Sequence, residues 1–123
     1  MKIELLAVPV ADIDRAKEFY VRAGFSTDHD HTVSPEVRFV QLTPPGSACS
    51  IVLDLNFSSM SPGSQKGIQC VVASADEALA FLRDRGIETS EIDETNWGRF
   101  VYFDDADGNG WALQELPDYS KAG

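Results

Sequence analysis

Basic residues are scarce in this chain. Ten Lys and Arg stand against twenty Asp and Glu, a formal net charge of -10. That field repels nucleic-acid phosphates and an anionic membrane surface, so neither is an expected partner. Long apolar runs are missing as well: none approaches the roughly 18–20 residues needed to span a bilayer. The start, Met1 to Val10, lacks the basic stretch, long apolar run and small-residue cleavage site of a secretory signal, and a cytoplasmic protein is expected. Cysteine is rare, with only Cys49 and Cys70, both in apolar strand-like runs. They could pair, but two free thiols suit an intracellular chain better. There is no phosphate loop, no dinucleotide fingerprint and no Gly-x-Ser-x-Gly elbow.

What is present is an ordinary globular share of apolar residues, 43% of 123. That suffices for one domain with a core of its own, without disulfide or metal staples.

The chain also repeats itself. Arg38-Phe39-Val40 recurs as Arg99-Phe100-Val101, 61 residues later, and each is followed by a turn. Upstream, at a spacing of 62, Val10-Ala11 answers Val72-Ala73, Asp14 answers Asp76, Phe19 answers Phe81 and Gly24 answers Gly86. Matching order of helix, glycine, strand and turn makes chance a poor explanation.

Each half reads as a strand, a helix and three strands. Ile3 to Val10 is an apolar strand; Asp12 is an N-cap; Ile13, Ala16, Phe19, Tyr20 and Ala23 form one helical stripe; Gly24 stops the helix. Strands are expected near 25–31, 37–42 and 48–54. In the second half the strand is Gly67 to Ala73. Ser74 to Glu77 is a capping box, Ala75, Ala78, Leu79 and Leu82 the stripe, and Gly86 the stop. Strands are expected near 87–92, 99–103 and 110–116. Module 1 thus covers residues 1–55, a Ser/Pro/Gly-bearing linker 56–66, module 2 residues 67–116 and a tail 117–123, all within a single domain. A four-stranded half can cover one sheet face with its helix; the other face must meet the second half or another chain.

Strand alternation sorts the side chains. Leu6, Val8 and Val10, with Val40, Leu42, Ile51, Leu53, Val101, Phe103, Trp111 and Leu113, suit the helix side. Phe39, Gln41, Ser50, Gln69, Phe100, Tyr102 and Gln114 then face away, expected along one concave surface with Trp97 on a loop at its rim. Small residues, aromatics and a few amides are how small-molecule pockets are built. A dimer interface is the plainer alternative for this face, and Trp97 is either a lid or simple packing.

Other residues carry weaker signals. His29 and His31 share a strand face within Asp28-His29-Asp30-His31, either as a chelating pair or as part of an exposed acidic edge strand. His31 is the candidate acid or base, since histidine titrates near neutrality. Arg38 and Arg99 are either anion grips or solvated strand-end charges. Asp104, Asp105 and Asp107 suggest a calcium loop but lack the twelfth-position glutamate of an EF-hand.

Two stretches carry a resemblance: Val8-Pro9-Val10-Ala11-Asp12-Ile13-Asp14-Arg15-Ala16-Lys17-Glu18-Phe19-Tyr20, and Phe103-Asp104-Asp105-Ala106-Asp107-Gly108-Asn109-Gly110-Trp111. The first resembles the module opening, and the second the Asp-Pro-Asp-Gly-Asn turn, of the vicinal oxygen chelate superfamily of glyoxalase I, bleomycin-resistance proteins and extradiol dioxygenases. Gln41 to Ile51 resembles its small bacterial glyoxalase-like branch. The resemblance covers residues 3 to 116. It implies an α+β fold of two tandem βαβββ modules, a curved mixed sheet with helices on the outer face and a cleft on the inner face. It also implies a homodimer.

Metal-dependent members of that superfamily place four ligands on the scaffold. Carried onto this chain, those positions are Leu5, Ser50, Gly67 and Ala112, and leucine, glycine and alanine cannot ligate. A one-residue slip offers Glu4 on the wrong face, and a two-residue slip offers Gln69 and Gln114. No metal or other cofactor is therefore expected. The resulting expectation is a module that binds a small apolar or aromatic molecule. The alternatives are a metal-free or atypical-metal enzyme (a lyase, isomerase or oxygenase) and a purely structural dimer.

Overall fold

A computed structural model describes residues 1–55 and 59–118. Part of the expected linker, 56–58, and part of the tail, 119–123, lie outside the described residues. The elements run β1 (Leu5–Pro9), α1 (Ile13–Arg22), β2 (Ser26–Ser34), β3 (Val37–Thr43), β4 (Ser50–Asp54), β5 (Ile68–Val72), α2 (Ala75–Asp84), β6 (Asp93–Thr95), β7 (Gly98–Asp104) and β8 (Gly110–Glu115). The tandem βαβββ reading is the observed order. Hydrogen bonding arranges the strands in two four-stranded mixed sheets, β1-β4-β3-β2 and β5-β8-β7-β6.

Packing divides the chain into two compact units. The first is Met1–Gln65 with Asp105–Asn109; the second is Lys66–Asp104 with the chain from Gly110 onward. The turn between β7 and β8 therefore packs with the first unit, although its sequence belongs to the second repeat.

In the first unit Asp12 caps α1 through its carboxylate, which accepts from the Arg15 amide. The helical stripe is buried at every expected position: Ile13, Ala16, Phe19, Tyr20 and Ala23. It packs in a core with Val8, Val10, Val40, Leu42, Ile51 and Leu53. Leu6 departs from expectation. It stays 37% exposed, because it lies near the start of β1, an edge strand with one neighbour in its sheet. β2 is the other edge and extends to Ser34, beyond its expected end near 31, before a two-residue turn at Pro35-Glu36. The acidic edge-strand reading of Asp28 to His31 matches this position.

The Asp105–Asn109 turn is fastened by buried polar groups. Asp105 Oδ1 accepts from the amides of Asp107 and Asn109, and its Oδ2 accepts from the Tyr20 hydroxyl at 2.5 Å and from Asn109 Nδ2 at 2.8 Å. Asp107 Oδ1 accepts from the Ala11 amide and from Arg15 Nη2. The Asp105 carboxylate and Asp107 Oδ1 are thus occupied by protein donors, while Asp107 Oδ2 is buried with no hydrogen-bond partner among the described residues. Gly63 packs against the same turn so closely that a Cβ there would lie 2.1 Å from the Asp107 carbonyl oxygen, and its φ of +80° also disfavours a side chain.

In the second unit Ser74 caps α2 by accepting from the Glu77 amide. Ala75 and Leu82 are buried, while Ala78 and Leu79 are only half-buried. The strand expected at 87–92 does not form; the edge strand is β6, at 93–95. Ser90 explains the shift. Its amide reaches the Tyr102 carbonyl, but its side-chain hydroxyl takes the Tyr102 amide in place of a backbone carbonyl, which interrupts the ladder there. Cys49 and Cys70 are both half-buried thiols outside any disulfide.

Candidate functional site

Within the first unit, one sheet face collects the expected residues. Register places Gln41 opposite Val52 and Leu42 opposite Ile51, so Phe39, Gln41, Thr43, Ser50 and Val52 share the face turned away from Val40 and Leu42. β1 adds Leu5 beside Ser50 and Ala7 beside Val52. On β2, His31 pairs with Phe39 and His29 with Gln41. The two imidazoles stack with centroids 5.8 Å apart, and His29 lies 6.4 Å from the Phe39 ring. Both histidines are exposed.

A register shift between Thr27 and His29 adds an unexpected member. The Asp28 carboxylate accepts a hydrogen bond from Thr43 Oγ1. Thr43 Oγ1 in turn lies 2.6 Å from Ser50 Oγ. Ser50 is only 6% exposed, so this chain of hydroxyls runs from a surface carboxylate to a buried position. Sequence alternation could not show it, because Asp28 reaches this face only through the bulge.

Within the second unit, the corresponding face carries Gln69, Val71, Phe100, Tyr102, Ala112 and Gln114. Gln69 Nε2 donates to Gln114 Oε1 at 2.7 Å, and Gln114 Nε2 donates to the Trp97 main-chain carbonyl at 2.7 Å. The Phe100 and Tyr102 rings stack, 5.9 Å between centroids and 12° between planes. Phe100 is nearly buried, so Tyr102, 40% exposed, is the ring that offers contact. Val71 is 63% exposed on the same face, and Trp97 is 72% exposed in the β6–β7 turn. The Tyr102 hydroxyl donates to Asp93 Oδ2 at 2.8 Å. That bond to a carboxylate, with partial burial, holds its phenol above the usual range.

The four metal-ligand positions offer almost no donors. Leu5, Gly67 and Ala112 have none, and the Ser50 hydroxyl is engaged with Thr43. The slipped alternatives fare no better: Gln69 and Gln114 bond to one another, and Glu4 is exposed ahead of β1. Among the described residues no three His, Cys, Asp or Glu side chains converge on a metal position. The divalent ion of metal-dependent relatives does not fit this donor set.

The two repeated arginines are each paired with carboxylates. Arg38 binds Asp14 at 2.5 Å and Asp30 at 2.8 Å, with Lys17 on the same Asp30 carboxylate. Arg99 binds Asp76 at 2.7 Å and Glu94 at 2.8 Å. The first pair in each unit is the same repeat-related pair. Arg38 and Lys17 hold the Asp30 carboxyl well below its usual range, and Arg99 lowers that of Asp76.

Gln65 escaped the sequence reading altogether. Its side-chain amide donates to the Ala7 carbonyl and its backbone amide to Asn109 Oδ1. A glutamine in a serine-rich linker gives no signal of such a role. A shallow hollow of about 460 Å³ lined by Arg83, Gly86, Ile87, Glu88 and Thr89 includes none of the expected binding residues.

Known proteins bear on this geometry. TnmS3, an antibiotic-binding protein from Streptomyces sp. CB03234, is 35% identical, with a TM-score of 0.87 over 95% of this chain and 97% of its own. A glyoxalase/bleomycin resistance protein from the same organism is 36% identical, with a TM-score of 0.82 over 93% of this chain and 100% of its own. YetH of Bacillus subtilis (strain 168) is 29% identical over 119 residues, 93% of this chain and 98% of that protein. Residues 2–113 match the family itself, and the chain belongs to the Glyoxalase/Bleomycin resistance protein/Dioxygenase superfamily.

Proposed function

We propose that this protein binds a small, largely apolar or aromatic molecule through the sheet faces that carry Phe39, Gln41 and Ser50 in one unit and Gln69, Phe100, Tyr102 and Gln114 in the other, with Trp97 beside the latter. The observation that carries the reading is the second unit's face. There an exposed aromatic ring stacked on a buried one, an exposed indole and two hydrogen-bonded amides stand together. Rings supply stacking worth about 0.5–1.5 kcal/mol per pair beyond burial, and fixed amides orient a ligand. An antibiotic-binding protein at 35% identity supports a role in sequestering a toxic small molecule. On this reading the protein works without a resident metal or cofactor, as a cytoplasmic homodimer, on a small molecule and not on nucleic acid or membrane.

Titration of intrinsic tryptophan fluorescence against a panel of aromatic antibiotics and metabolites tests it. Saturable quenching, weakened by Tyr102→Phe, is expected; a flat response across the panel overturns it. The second reading is a metal-free or atypical-metal enzyme. It rests on His31, which shares its face with the Asp28–Thr43–Ser50 chain. Product formation lost in His31→Ala would favour it.

A further inference from the structure

Several polar groups on these two faces have already committed their protons. A carboxylate or a main-chain carbonyl can only accept a hydrogen bond. In the first unit the Asp28 carboxylate takes the Thr43 hydroxyl proton. Thr43 Oγ1 therefore meets Ser50 Oγ only as an acceptor. Ser50 thus donates inward, and what its oxygen keeps for a visitor is a lone pair.

The second unit repeats the logic with different residues. The Tyr102 hydroxyl donates to Asp93, so its oxygen too is left as an acceptor. The Trp97 carbonyl fixes which end of the Gln114 amide is nitrogen. Gln114 Oε1 must then accept from Gln69 Nε2, which leaves Gln69 Oε1 as an acceptor and one further N–H on each amide nitrogen. Each chain ends on a group that cannot donate back.

We propose that Asp28 and Asp93 set the hydrogen-bond polarity of Ser50 and Tyr102, so that these faces select aromatic ligands bringing their own donors, phenolic O–H or amine N–H, over ethers and carboxylates. This rests on the binding reading above and narrows its ligand class. A ligand ether would set lone pairs against lone pairs and leave both unsatisfied. A ligand carboxylate would meet the same lone pairs inside the field of a chain with a net charge of -10. The high-lying phenol of Tyr102 agrees, since Asp93 favours its protonated, inward-donating form. Gln41, Gln69 and Gln114 do not discriminate, because a primary amide carries both donor and acceptor, so the selectivity is carried by Ser50 and Tyr102. Asp28 and Asp93 are positioning residues: they act through Thr43 and Tyr102 and need no contact with the ligand.

The test uses three probes of one shape, 2-naphthol, 2-methoxynaphthalene and 2-naphthoate, titrated into the full chain and followed by backbone amide chemical shifts. The naphthol is expected to bind about tenfold more tightly than the ether, the worth of one or two hydrogen bonds, with the naphthoate weakest. Asp28→Asn and Asp93→Asn put a donor where there was only an acceptor. Thr43 and Ser50, or Tyr102, can then turn their protons outward, and the naphthol-to-ether ratio should fall toward one or invert. Thr43→Val, which cuts the link from Asp28 to Ser50, should reduce the ratio as well and serves if Asp28→Asn does not fold. Equal binding of naphthol and ether by the unaltered protein overturns this inference and leaves the binding reading standing. So does an unchanged ratio in the variants. Failure of all three probes to bind overturns both.

Discussion

Asn109 donates its side-chain amide to the main-chain carbonyl of Pro9, 100 positions earlier, at 2.9 Å. The same nitrogen also reaches Asp105 Oδ2, and the amide oxygen accepts from the Gln65 backbone. Asn109 is fully buried, and its bonds to Pro9 and Asp105 are buried with it. Removing it leaves buried groups unsatisfied at about 1–3 kcal/mol each. Asn109→Ala should lower unfolding free energy by about 3 kcal/mol in urea. Asn109→Asp should be at least as severe, because it sets an acceptor against the Pro9 carbonyl and the Asp105 carboxylate.

The ion cluster around Asp30 predicts a pH dependence. Its folded-state carboxyl lies below the unfolded value, held there by Arg38 first and Lys17 second. Stability from this source is therefore present above the unfolded value, about pH 4, and is lost as pH falls through the lower folded value. Arg38→Met should destabilise the protein by about 1 kcal/mol at pH 7, the scale of a partly exposed network. The gap from the unaltered protein should narrow steadily in urea titrations run from pH 5 toward pH 2. A gap that stays constant over this range would remove the ion pair as its cause.

Binding should depend on polar contacts as well as on rings. Gln41→Leu and Tyr102→Phe each leave a ligand group without its partner and should weaken affinity about three- to tenfold. Trp97→Ala should cost a similar amount through lost stacking. Calorimetric titration with whichever aromatic compound quenches fluorescence checks all three.

Elemental analysis of the purified protein should find no stoichiometric nickel, zinc, iron or manganese after dialysis. Chelator treatment should leave ligand affinity unchanged. A tightly held ion whose removal abolishes binding would contradict the reading of Leu5, Ser50, Gly67 and Ala112 as a lapsed site.

Light scattering at micromolar concentration should report twice the mass of the chain. Exposed Ile3, Leu6, Val71 and Trp97 are apolar surface that a second copy would cover. A monomeric mass would leave that surface to the ligand alone.

The repeat, both helix caps and the side of each central strand were legible in the sequence, because each depends on local chemistry. A capping Asp12 or Ser74 needs only its own helix, and Gly24 and Gly86 need only their own turn. The period of two assigned Phe39, Gln41, Phe100 and Tyr102 to their faces before any contact was known. Tertiary structure decided the rest. Asp28 reaches Thr43 only because β2 slips register against β3, and alternation assumes that no slip occurs. Gln65 meets Asn109, and Tyr20 meets Asp105, across long stretches of chain, so no window of sequence contains either pair. The β7–β8 turn packs with the first unit because its buried polar groups find donors and acceptors there, and that choice depends on where distant backbone groups come to lie.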